Sequence, residues 1–291
     1  MQRTLCFDDV LMVPQYSEIE SRKNVSLCVS GFDDSEARLT KDHPILECPI
    51  IGSPMDTVIS PTAASVIQDF GGLGVLHRYC TIVDAVKSFK DTVEKCPGHP
   101  FPNVMIAVGA TGDYLERAQA LYEAGCRAFC VDVAHGHHAS VKSALKQLRS
   151  KFGKEVHIMT GNVATLDAFN DLADWGSDSI RVGVGGGSMC STRIRTGHGI
   201  PTLQSVVDCA KSDRDVFIVA GFGLRRGRED RLGQFAGFLQ PGRERDAADG
   251  LGLLIFLPAR AGEVAAHDAL DRQHPQLLAE HRAAAQLGRD P

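Results

Sequence analysis

The 291-residue chain has no excess of positive charge: 31 Lys and Arg face 36 Asp and Glu, a net charge of −5. Such a balance cannot neutralise a run of phosphates, which argues against a nucleic-acid binder. No apolar run approaches about 18 residues, so no membrane-spanning helix is expected. The opening Met1-Gln-Arg-Thr-Leu-Cys6 has no apolar core of a signal peptide. CxxC spacings are absent although nine cysteines are present. An odd, unpatterned set reads as reduced thiols in a cytoplasmic protein, any one of which is available as a nucleophile. Disorder is excluded by a hydrophobic fraction of 43%.

The largest absence is regional. Residues 221–291 contain no Ser, Thr, Asn, Lys, Cys, Met, Tyr or Trp, although all eight types occur earlier. The change reads as a displaced reading frame beginning near Ala220, the alternative being a biased extension with an Ala-rich helix over 261–287 interrupted at Pro275. The chain therefore divides into a domain over 1–220 and a divergent segment over 221–291.

Before that division a pattern recurs: a short apolar run ending in Gly or a polar residue, then an amphipathic helical stretch. The runs cover 49–53, 72–77, 104–109, 128–135, 157–162, 179–183 and 216–220, with helices expected over 114–124, 138–151 and 166–175. Seven strand–helix repeats predict a parallel α/β fold, a (β/α)₈ barrel in preference to a doubly wound sheet. The last strand is in question, because 251–257 is the only apolar run in the tail. Barrel chemistry sits where strands end, and most of the runs end in polar candidates.

The richest of these is Arg181-Val-Gly-Val-Gly-Gly-Gly-Ser-Met-Cys190-Ser-Thr192-Arg193. A Gly-rich loop exposes backbone N–H and C=O groups to a phosphate or a monovalent cation. Cys190 ends it, beside hydroxyls and the cations Arg193 and Arg195, which favour a thiolate. A lone Cys is more often a small buried hydrophobe; the loop reverses that preference. Asp132-Val-Ala-His135-Gly-His137-His138 offers zinc-like ligands, yet no second cluster completes a set. Asp132 suits ribose hydroxyls equally well, or simply opposes a helix dipole. Ser53 and Met55 could line a flat ligand or merely start a helix. His77-Arg78 could meet phosphate or form a surface pair, and Asn162 could hold a ligand or cap a helix.

Phe7-Asp-Asp-Val-Leu-Met-Val-Pro14, Gly52-Ser-Pro-Met-Asp-Thr57, Gly71-Gly-Leu-Gly-Val-Leu-His-Arg78, Gly161-Asn-Val163 and Gly185-Gly-Gly-Ser-Met-Cys-Ser-Thr192 together resemble the IMP dehydrogenase/GMP reductase family. The resemblance runs in order along nearly all of 4–220 and implies a (β/α)₈ barrel that assembles as a homotetramer. It implies that Cys190 attacks C2 of a purine nucleotide to form a thioimidate, with Thr192 moving protons beside it. It places Ser53, Met55 and Ser188 on the nucleotide, and Ser21, Arg22, Arg78, Asp132, Val133, Ala134, Val184 and Gly185 on the nicotinamide cofactor, NADP(H) or NAD. It gives a potassium ion to Gly185, Gly187, Cys190 and Arg193.

Dehydrogenases of the family usually carry a regulatory insertion after the second helix; here only 79–103 lies in that interval. That absence, with Ser21-Arg22 and Asp132-Val-Ala134, resembles the reductases. Phe7-Asp-Asp-Val-Leu11, Gly71-Gly-Leu-Gly74, His135-Gly-His137 and Thr192-Arg-Ile194 resemble the dehydrogenases. After Ala220, where the family has Asp-Gly-Gly, a second phosphate motif and a flap, this sequence reads Gly221-Phe-Gly223. The expected activity is therefore GMP reduction, with IMP oxidation as the alternative. Outside that class stand an inactive nucleotide-binding remnant and a metal-dependent hydrolase using Asp132, His135 and His137.

Overall fold

A computed structural model describes residues 4–25, 27, 46–96, 104–186, 191–225 and 250–258. Seven parallel strands follow one another in chain order: β1 (Ile50–Gly52), β2 (Leu73–Leu76), β3 (Val104–Val108), β4 (Ala128–Asp132), β5 (His157–Val163), β6 (Ser179–Val182) and β7 (Phe217–Arg225). Helices α1 (Pro61–Asp69), α2 (Ile82–Glu94), α3 (Tyr114–Glu123), α4 (Ala139–Phe152), α5 (Leu166–Trp175), α6 (Ser191–Thr196) and α7 (Thr202–Cys209) lie between them. Among these residues no helix is long and apolar enough to cross a membrane.

The gap between β7 and β1 is filled by β8 (Gly250–Pro258), the tail's apolar run. It does not repeat the βα unit. β8 runs antiparallel, pairing with β7 from Phe217↔Pro258 to Arg225↔Gly250 and with β1 from Ile50↔Ile255 to Gly52↔Leu253. An antiparallel strand needs no crossover helix, and among the described residues β8 is the element that closes the barrel. The proposed Ala-rich helix over 261–287 lies outside the described residues.

Strand side chains alternate between two layers. Val104, Ile106, Phe129, Val131 and Ile158 face the helices, while Met105, Ala107, Cys130, Met159 and Val219 fill the barrel interior. Local chemistry starts and stops the helices. Ser60, Thr81 and Thr165 side chains accept backbone N–H bonds at the starts of α1, α2 and α5, and Gly176 ends α5 in the left-handed region.

At the amino-terminal face Arg149 of α4 acts as a staple. It donates to the carbonyls of Gly176 at 2.6 Å, Val156 at 2.8 Å and Gly153 at 3.1 Å, and pairs with Asp178. Arg149→Ala is expected to cost roughly 3 kcal/mol, by orphaning these groups, with little change in cleft chemistry. Urea unfolding measures it; a midpoint equal to the parent's contradicts the staple.

Candidate active site

The carboxyl-terminal ends of the strands open into a cleft of about 660 Å³. Strand register builds its floor. Asp132 of β4 pairs with Gly161 of β5, and Gly161 with Arg181 of β6, so three neighbouring strands set these residues in one row. Ile180 and Val182 turn into the helix layer, which sends Arg181 inward. A Cβ on Gly161 would fall 2.5 Å from the Arg181 Cβ. With no side chain in the middle of the row, the Arg181 guanidinium reaches across and pairs with the Asp132 carboxylate.

The Arg181 side chain is 5% exposed, and its Nε lacks a partner. Burial works against its charge, but the facing Cys130 and Asp132 outweigh it, and the pKa is raised. Cys130 is itself pushed up to about 12 by burial, so at neutral pH it is a thiol and Asp132 is the counter-charge. Arg78 enters from the loop after β2, with its guanidinium 5.2 Å from the centroid of the Tyr79 ring and its Nε also unpartnered. Two guanidiniums, Arg78 and Arg181, and two carboxylates, Asp56 and Asp132, thus line one cleft. Donors and acceptors side by side fit a polar ligand that carries both.

The expected residues gather here. Ser53 and Met55 come from the loop after β1, Asp132, Val133 and Ala134 from the end of β4, Val184 and Gly185 from the Gly-rich loop, and Thr192 from α6. Gly185 adopts φ +72°, and a Cβ there would lie 2.7 Å from the His198 carbonyl oxygen. A side chain there would be strained and would strike backbone, so the cleft wall is bare at this point. Asn162 donates to the Gly183 carbonyl at 2.8 Å, bracing the loop from β5.

Other expected residues do not meet in the cleft. Ser21 is exposed in the amino-terminal segment, and Arg193 is exposed on α6 with its carbonyl accepting from the Gly197 N–H at 3.0 Å. Neither lines the cavity. Gly187, Ser188, Cys190 and the Arg22 side chain lie outside the described residues. The thiols of Cys126, Cys130 and Cys209 are pushed up to about 12 by burial, and those of Cys48 and Cys96 are also raised by it. Burial disfavours the thiolate in all five.

The alternative of a zinc site gains no support. Asp132 is taken by Arg181, His137 pairs with Asp171 at 2.8 Å and stacks on Trp175, and His138 accepts the Ser140 N–H at the start of α4. The His135 ring lies edge-on to that of His137 at 6.4 Å, but no group of three ligands converges among the described residues.

Sequence reasoning left Arg181, Gly161 and Tyr79 without roles. For Arg181 a signal existed: alternation with Ile180 and Val182 puts a charge inside the barrel, which only a partner or ligand tolerates.

Comparison with known proteins fits this geometry. The model for the IMP dehydrogenase / GMP reductase domain matches residues 4–229. The inosine-5'-monophosphate dehydrogenase of Cryptosporidium parvum is 32% identical over 259 residues, covering 76% of this chain and 62% of that protein. GMP reductase 1 of Mus musculus is 35% identical over 210 residues, 72% of this chain and 58% of that protein. The chain thus spans about three-fifths of each relative's length. The crystal structure of inosine 5' monophosphate dehydrogenase from Legionella pneumophila superposes with a TM-score of 0.63 at 32% identity, covering 88% of this chain and 86% of that one.

Proposed function

The chain belongs to the IMP dehydrogenase / GMP reductase family, and from that premise we propose that it is a purine-nucleotide oxidoreductase whose nucleophile is Cys190. One observation carries the reading. Residues expected on the nucleotide (Ser53, Met55), beside the reacting carbon (Thr192) and on the cofactor (Arg78, Asp132, Val184) line a single cleft. Relatives of both names match at similar identity. GMP reduction is preferred because 79–103 leaves no room for the insertion typical of dehydrogenases.

In this reading Cys190 forms a bond to C2 of GMP, and the 2-amino group leaves as ammonia after protonation, with Thr192 as the proton carrier. Splitting the displacement at a covalent adduct lowers the barrier of each half. NADPH supplies the hydride that C2 gains, so the balance is GMP, NADPH and one proton to IMP, NADP⁺ and ammonia. Asp132 accepts from ribose hydroxyls while Arg181 holds its carboxylate in place. Ser188 contacts the nucleotide phosphate, and Val133 and Ala134 complete the cofactor site. Gly185, Gly187 and Cys190, with Arg193, are the residues that would hold a potassium ion, which would supply positive charge to the loop. Cytoplasmic residence and a homotetramer complete the reading.

Loss of reduced-nicotinamide absorbance on mixing the chain with GMP, NADPH and potassium tests it. GMP-dependent consumption with stoichiometric ammonia supports the reductase. Consumption of NAD with IMP in its place supports a dehydrogenase, and inertness toward both pairs contradicts the proposal.

A further inference from the structure

Arg117 of α3 is a buried charged residue, 5% exposed. Its donors leave α3 for the loop between β2 and α2. Nη2 donates to the Cys80 carbonyl at 2.8 Å, and Nη1 reaches the Thr81 carbonyl at 3.5 Å. Asp113, one turn earlier on its own helix, holds the other side of Nη2 at 2.8 Å. The loop it grips is short. β2 ends at Leu76, and Thr81 already caps α2, accepting the Asp84 N–H at 3.1 Å and donating to the Asp84 carboxylate at 2.7 Å.

Between these fixed ends sit His77, Arg78, Tyr79 and Cys80. Arg78 and Tyr79 are the two members of that stretch that line the cleft. Tyr79 is 60% exposed, with no core to hold it. Its ring stands 6.3 Å from that of His77 and 5.2 Å from the Arg78 guanidinium, so these side chains brace mainly one another. Arg78 also lies against Gly109 and Cys80 packs on the core, while the backbone after Tyr79 is gripped by Arg117 through the Cys80 and Thr81 carbonyls.

We propose that Arg117 is a positioning residue: by clamping the Cys80 and Thr81 carbonyls it holds Arg78 and Tyr79 as the cleft wall that receives the dinucleotide. The role rests on the oxidoreductase reading for its ligand, but the clamp does not. Arg117 touches no ligand itself, and its effect passes through the loop. A guanidinium suits the task because its planar fork binds two carbonyls at once, which an ammonium does with one-point contact only.

Limited trypsin digestion of the full chain reads the clamp, because Arg78–Tyr79 is itself a tryptic bond. In Arg117→Met that bond is expected to be cut about tenfold faster, with rates after Lys151 and Arg214 unchanged. Arg117→Lys is expected to fall between, and it serves as the reporter should the Met variant not fold. NADPH is expected to protect the bond in the parent and not in Arg117→Met. In turnover, the KM for NADPH rises about tenfold while kcat and the KM for GMP stay near the parent's.

Cleavage at Arg78–Tyr79 at the parent rate, or a uniform rise at every site, overturns the clamp. Local loosening with NADPH protection and KM unchanged overturns its role in receiving the dinucleotide. Digestion needs no turnover, so a chain inert to every nucleotide sinks the oxidoreductase reading while leaving the clamp result standing.

Discussion

Replacing Cys190 with Ala is expected to remove turnover, by roughly 10⁴-fold or more, while nucleotide affinity changes little. The size follows from what the thiolate does. A bond from sulfur to C2 converts an amino-group displacement on an aromatic ring into addition and elimination, and Ala offers no nucleophile. Binding falls to other groups, Ser53 and Met55 in the cleft among them, so affinity survives. The five described cysteines with raised pKa are poor replacements, because burial disfavours their thiolates. Cys190→Ser is the sharper control: it keeps a hydroxyl of similar size but with far weaker nucleophilicity at neutral pH. Turnover within about tenfold of the parent in either variant would contradict the role.

Arg181→Met is expected to carry the second large effect, in two separable parts. The first is stability. Asp132 is left with its side chain 17% exposed and without its partner. Removing one member of such a pair costs about 3 to 5 kcal/mol, because the remaining charge is neither solvated nor paired. The second is function, since the carboxylate loses the guanidinium that aims it. A fall of about 100-fold in kcat/KM for the dinucleotide is expected, which corresponds to about 2.7 kcal/mol of lost transition-state binding. The double variant Arg181→Met with Asp132→Asn separates the parts. It removes the orphaned charge and should recover most of the stability, but not the activity. Recovery of both would mean that the pair only holds the barrel together.

The alternation of apolar runs with amphipathic helices located β1 to β7 closely, because each parallel strand is buried on both faces and reads as an unbroken apolar run. Residues 251–257 were legible as the one apolar run able to replace a missing strand. Their direction was not, since nothing in an apolar run encodes whether its neighbours are parallel. The Gly-rich loop and the ends of β1 and β4 stood out because glycines and polar groups follow apolar strands there. The floor was harder. Asp132 was visible, but its pairing with Arg181 depends on register across Gly161, three positions far apart in sequence. The histidines after Asp132 offered a metal site only as an alternative, and among the described residues no third ligand joins them. Arg117 carries no motif at all, and only its distance to two carbonyls gives it meaning.

Peptide mapping of the full chain, quenched in acid during turnover with GMP and NADPH, tests the central claim most directly. A purine-nucleotide mass increment on the peptide containing Cys190, absent from Cys190→Ala, is the predicted result. Turnover with the increment on another cysteine, or with Cys190 unmodified and its Ala variant active, would contradict it.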